Sequence, residues 1–104
     1  MKARADVDIA RNLKSIEWLK TELIGGVAEL YRAMRAARDE AILDQLANVI
    51  MTAYVLCRRL GFDFTELEQR LTHKVQANAR KPHDFEEWYG DFSALERHRS
   101  LRQR

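Results

Sequence analysis

The sequence predicts an all-α fold: two long antiparallel helices, a third helix and short C-terminal helical turns, in a bundle completed by oligomerisation. Three observations carry that prediction. Apolar residues recur at steps of three and four over most of the chain, the period of one buried helix face. Only four glycines and one proline punctuate the 104 residues, which favours long helices over short strands. The second helix is apolar around most of its circumference, and a chain this short buries only about 60–65% of its unfolded surface, so it cannot supply all the partners that helix needs.

The first helix is expected from about Asp8 to Ala37. Ile9, Leu13, Ile16, Leu19 or Lys20, Leu23, Val27, Leu30 and Met34 mark its buried face, and Asp6 or Asp8 stands where a side chain can accept from the free amides at its start. Gly25 and Gly26 fall in its middle. Each costs about 0.5–1 kcal/mol relative to Ala inside a helix. The apolar period crosses them without a phase shift, which points to close packing or a mild kink rather than a break. The second helix opens at Asp39, a good N-cap, and closes before Gly61, a good residue to follow a C-cap. Arg58 and Arg59 suit the negative end of its dipole. The third follows Gly61-Phe62, with Asp63 and Glu66, or Thr65 and Glu68, as a capping pattern. Phe64, Leu67, Leu71 and Val75 form its stripe, which ends near Arg80 before Pro82. Two short helices are expected to lie across the core beyond it. Asp84 with Glu87 caps a turn carrying Phe85, Trp88 and Tyr89; Gly90 ends it, and Asp91 or Ser93 starts another with Phe92 and Leu95.

Length fits a single domain spanning residues 1–104, with residues 97–104 a basic, frayed tail carrying Arg97, Arg99, Arg102 and Arg104. A net charge of +2, from 18 basic and 16 acidic side chains, gives no argument for specific nucleic-acid binding. The single cysteine, Cys57, cannot form an internal disulfide and reads as a small buried hydrophobe. The charged N-terminus does not resemble a signal peptide, and the apolar stretch Val49 to Cys57 is too short to span a bilayer. The expectation by elimination is a cytoplasmic protein with no membrane partner.

Chemistry is sought among polar residues on apolar helices. Gln45, Asn48 and Thr52 share one face of the second helix, with Asp44 beside it. That face is either the solvent side of the helix or a ligand surface, since a buried unpaired amide costs roughly 1–3 kcal/mol. Glu22 and Glu29 are seven residues apart on the first helix and nearly stacked. Glu29 reads as an exposed carboxylate paired with Arg32 or Arg35, or as a metal ligand facing the polar stripe of the second helix. His73, His83 and His98 show no zinc spacing with Cys57, and no Gly-rich loop is present to cradle phosphates.

Three stretches resemble the short bacterial MazG-like family: Ile9 to Leu23, Tyr54 to Gly61 with Phe62-Asp63-Phe64, and Glu87-Trp88-Tyr89-Gly90-Asp91 with Ser93 and Leu95. The resemblance implies a MazG-like helical bundle and the all-α nucleoside triphosphate pyrophosphohydrolase superfamily. That superfamily uses a Glu-Glu-x-x-Glu on one helix and a Glu-x-x-Asp on the next to hold Mg²⁺, which needs hard, charged oxygen ligands. On this chain the motif falls on Gly25, Gly26 and Glu29, then on Gln45 and Asn48. Only Glu29 keeps a carboxylate.

The resemblance therefore implies the fold with a degenerate Mg²⁺ site, with little or no hydrolase activity and with retained nucleotide binding by Glu29, Gln45 and Asn48. No catalytic residue is assigned, and Mg²⁺ is expected only if activity remains. Two alternatives stand beside it. One is an active but atypical hydrolase using Glu22, Glu29 and Asp44. The other is a helical dimerisation or protein-interaction module with no ligand. A homo-oligomer, dimer or tetramer, is expected in either case.

Overall fold

The structure, a computed structural model, describes residues 2–81 and 84–102, with the side chains of residues 2–6 and 85 left aside. Among these it is all-α: α1 (Lys2–Arg35), α2 (Asp39–Arg59), α3 (Phe64–Arg80), α4 (Asp84–Tyr89) and α5 (Asp91–Arg102). The chain forms two compact units, Met1–Phe64 and Thr65–Arg104.

The first unit is the α1–α2 pair. Its antiparallel register is marked at two levels. Near one end, Asn12 Nδ2 donates to the Arg59 carbonyl oxygen at 3.1 Å, satisfying an orphan acceptor in the last turn of α2. Midway, Gly26 approaches Val49 closely enough that a Cβ on the glycine would lie 3.4 Å from Val49 Cγ2. The helix runs unbroken through both glycines. An added Cβ at Gly26 would be in ordinary contact with Val49, so Gly26 packs against α2 without a clash requiring glycine there, and a Cβ at Gly25 would meet nothing within 4 Å.

The ends of the helices differ in part from the sequence expectation. α1 begins at Lys2, so Asp8 lies inside the helix rather than at its start. Asp39 is the first residue of α2, and the cap position belongs to Arg38, which makes no side-chain capping bond. Asp39 and Glu40 act instead through their charge on the positive end of the helix dipole. Gly61 behaves as expected. At φ +99° it follows the C-cap Leu60, its amide donates to the Arg58 carbonyl, and the Phe62 amide donates to that of Cys57. This is a Schellman closure. α1 ends the same way, with Arg38 donating to Ala33 and Ala37 to Met34, but the left-handed position is taken by Ala37 at φ 55°. The ring of Tyr54 in α2 meets that of Phe64 at a centroid distance of 6.1 Å.

In the second unit, Val75 of α3 is buried, and Leu67 and Leu71 are half-buried on the same stripe. The arginines expected in a frayed tail are helical as far as Arg102. Arg99 is well covered, its side chain 19% exposed, and its Nη2 donates to Glu68 Oε2 at 2.7 Å, to the Glu68 carbonyl and to Thr72 Oγ1. Arg80 pairs with Glu96 at 3.3 Å. Gly90, at φ 65°, makes the turn between α4 and α5. The first turn of α5 is capped from α4: Glu86 accepts from the Phe92 and Ser93 amides at 3.0 and 3.1 Å and from Ser93 Oγ at 2.5 Å. Arg104, Pro82 and His83 lie outside the described residues.

The apolar circumference of α2 was expected to be surrounded. Within the chain it is not: Thr52 is its one buried residue, and Leu43, Leu46, Ile50, Met51 and Val55 are exposed. By length and composition alone α2 would also pass as a membrane span, which the stretch Val49 to Cys57 taken by itself would not. That resemblance is weak, because core helices share these properties and α2 carries Gln45, Asn48 and Thr52 along one face.

Candidate functional site

The two helices enclose a groove of about 550 Å³ on one side of their seam. Helical geometry decides which residues reach it. With Gly26 and Val49 in the seam, the residues immediately before them, Gly25 and Asn48, fall on the groove side, about 100° back around each helix. Residues one turn away along each helix extend those two walls.

The groove has two chemical halves. One is polar, lined by Glu22, Glu29, Arg32, Gln45 and Asn48. The other is apolar, lined by Trp18, Leu19, Met51 and Val55. Thr52, 9% exposed, lies on the seam between them. Four of the residues expected at the site therefore come together: Glu22, Glu29, Gln45 and Asn48. Asp44 does not join them. It is exposed and turned about 100° from Gln45 around α2.

The polar half is only partly committed to internal bonds. Glu29 Oε1 accepts from Arg32 Nε and Nη2 at 3.2 and 3.0 Å, with both side chains more than half exposed. Exposed pairs of this kind contribute little to stability, about 0–1 kcal/mol. Asn48 Nδ2 donates to Gln45 Oε1 at 3.4 Å, a long bond between two exposed side chains. Two carboxylates and one guanidinium give the groove a slight negative surplus. Among the described residues, no three His, Cys, Asp or Glu side chains come together in a way that would hold a metal ion.

Sequence reasoning passed over the apolar half. Met51 and Val55 were counted only toward the apolar girth of α2. Trp18 falls outside the stripe that carries Ile16 and Leu19, and that misfit was the available signal for an exposed, lining aromatic.

Residues 9–92 match the MazG-like family. No curated protein and no solved structure matches the chain.

Proposed function

The chain belongs to the MazG-like family, and on that premise we propose that it keeps the pyrophosphohydrolase fold with a degenerate metal site, binding a nucleotide-like ligand without appreciable hydrolysis. The observation that carries this reading is the convergence of Gly25, Gly26, Glu29, Gln45 and Asn48 on one groove. These are the positions on which the superfamily motif falls. The donor set does not fit the Mg²⁺ cluster of that motif. Glycine offers no side-chain ligand, amides bring no charge, and Glu29 already shares its carboxylate with Arg32.

What remains suits a base and sugar better than a triphosphate. The exposed Trp18 ring and the apolar side chains of Met51 and Val55 offer a stacking surface, while the Gln45 and Asn48 amides offer both a donor and an acceptor. The surplus of carboxylates opposes each added phosphate. Affinity in the absence of metal is therefore expected to fall from nucleoside to monophosphate to triphosphate.

The test is an amide NMR titration of the isotopically labelled chain with that ligand series, with and without Mg²⁺, beside a pyrophosphate-release assay. Shifts at Glu29, Gln45 and Asn48 that need no Mg²⁺, with no release, are the expected result. Unmoved signals at those residues would remove the binding site, and brisk turnover with Mg²⁺ would remove the degeneracy. A second reading, an interaction module without a small ligand, is favoured by the exposed apolar residues. It predicts an unresponsive groove together with a stable assembly.

A further inference from the structure

The groove has one charge left over, and it stands beside the one aromatic residue of the lining. Glu29 shares its carboxylate with Arg32 at 3.0 Å, so the charges of that pair cancel. Glu22 makes no hydrogen bond or ion pair with any described residue. It follows Trp18 by four residues, the spacing that places side chains side by side on one face of a helix. The antiparallel register marked by Gly26 and Val49 then orders the groove along its length. Trp18 falls near the level of Val55, Glu22 near that of Thr52, and Glu29 near that of Gln45. An indole that is 60% exposed thus has an uncompensated carboxylate next to it on the same wall, with the amides of Gln45 and Asn48 further along the groove.

We propose that the groove selects a flat organic cation, a nucleobase carrying delocalised positive charge such as an N7-alkylated guanine. The inference rests on the reading of the groove as a nucleotide-like site and names the class of base it takes. Alkylation at N7 leaves the purine planar and spreads a positive charge over its five-membered ring, while the N1–H and exocyclic amine remain as donors on the opposite edge. Three features of the groove match that ligand. Indole is the aromatic face that attracts a cation most strongly. The Glu22 carboxylate has two acceptor oxygens and no donor, the complement of the N–H edge, and its bonds to a cationic base are charge-assisted. The apolar side chains of Met51 and Val55 suit a flat ring rather than a compact ammonium, which would leave them uncovered. A neutral guanine keeps the stacking and the N–H contacts but loses the attraction of the indole face and the carboxylate for positive charge. The sugar then extends toward Gln45 and Asn48, where its hydroxyls meet both a donor and an acceptor.

The test is calorimetric titration of the full chain with guanosine, N7-methylguanosine and spermidine. Mildly acidic pH keeps the N1 proton on the methylated base and leaves a carboxylate ionised. N7-methylguanosine is expected to bind at least about tenfold more tightly than guanosine, a ratio within reach of a cation–π contact and a charge-assisted bond together. Glu22→Gln keeps the length of the side chain and removes its charge, and it should cut that ratio to about threefold or less. Trp18→Leu keeps apolar cover without a π face and should do the same. Both side chains are exposed, and circular dichroism checks that the variants keep their helices. The wild-type ratio stands as a test even if a variant fails to fold. Equal affinity for the two nucleosides would overturn the inference while leaving nucleotide-like binding in place. Amide signals of Gln45 and Asn48 that move with neither nucleoside would remove the underlying reading as well. Spermidine bound as tightly as N7-methylguanosine, or a preference that survives Glu22→Gln, would also overturn it, the first because charge alone would then be read and the second because Glu22 would not be reading it.

Discussion

At the level of single residues, the glycine pair shows what a sequence can and cannot disclose. Both glycines interrupt a strong helical period, so their presence announced a reason without saying which. The structure separates them: Gly26 lies against Val49, whereas Gly25 borders open space in the groove. Gly25→Ala should therefore stabilise the chain by about 0.5–1 kcal/mol, the helix-propensity difference, with no steric offset. A urea melt that fails to shift upward would show that something outside the chain occupies that space. The same substitution narrows the groove and is expected to weaken ligand binding. The positions of Glu29, Gln45 and Asn48 were legible from periodicity and family pattern together. The Glu29–Arg32 pair was legible as an i,i+3 option, but choosing Arg32 over Arg35 needed coordinates. Restoring charge tests the site from the opposite direction. Gln45→Glu with Asn48→Asp adds two carboxylates beside Glu29 and should raise Mg²⁺ affinity measurably by isothermal titration calorimetry. No gain in affinity would mean that these positions do not converge as the groove suggests.

At the level of helices, type was readable throughout, because the apolar steps persist for many turns and Gly61 and Gly90 fall at true helix ends. The ends were less readable, since capping is a matter of one or two hydrogen bonds that several neighbouring residues could make. Asp39 looked like a cap and is the first helical residue. Glu86, which no capping pattern singled out, caps the helix that follows its own. Removing it should matter. Glu86→Ala strips the acceptor from two half-buried amides and a hydroxyl and is expected to destabilise the second unit by about 1–2 kcal/mol, with Glu86→Gln milder, as read by amide hydrogen exchange in α5. The opposite gain is available at the end of α1. Ala37 holds a left-handed φ of 55° inside an otherwise well-bonded helix closure. An L-residue in that conformation costs roughly 1–2 kcal/mol, partly offset in glycine by its greater freedom when unfolded. Ala37→Gly should raise the urea midpoint by an amount corresponding to about 0.5–1 kcal/mol, and no rise would mean that the turn is not strained in solution.

At the level of the whole molecule, the sequence carried a quantity that no single helix reveals: more apolar surface than the chain can cover. The composition is ordinary, with 46% hydrophobic residues, yet just Leu19, Ala33 and Val75 form the buried hydrophobic core of the described residues. The all-round apolar character of α2 was the legible sign. Which side of α2 lines the groove was not legible, because both sides carry apolar residues at helical spacing. The distinction comes from the structure, where Gln45 and Asn48 line the groove and Leu46 and Ile50 do not. The homo-oligomer expected from the sequence has a thermodynamic signature. Unfolding then separates the copies, so each tenfold rise in protein concentration adds about 1.4 kcal/mol per dimer to its stability. For a dimer of this size that corresponds to a rise in Tm of about 3–5 °C per tenfold. Scanning calorimetry over two decades of concentration would measure it, and a Tm that does not move would mean that each chain holds its fold without the partner that its exposed surface calls for.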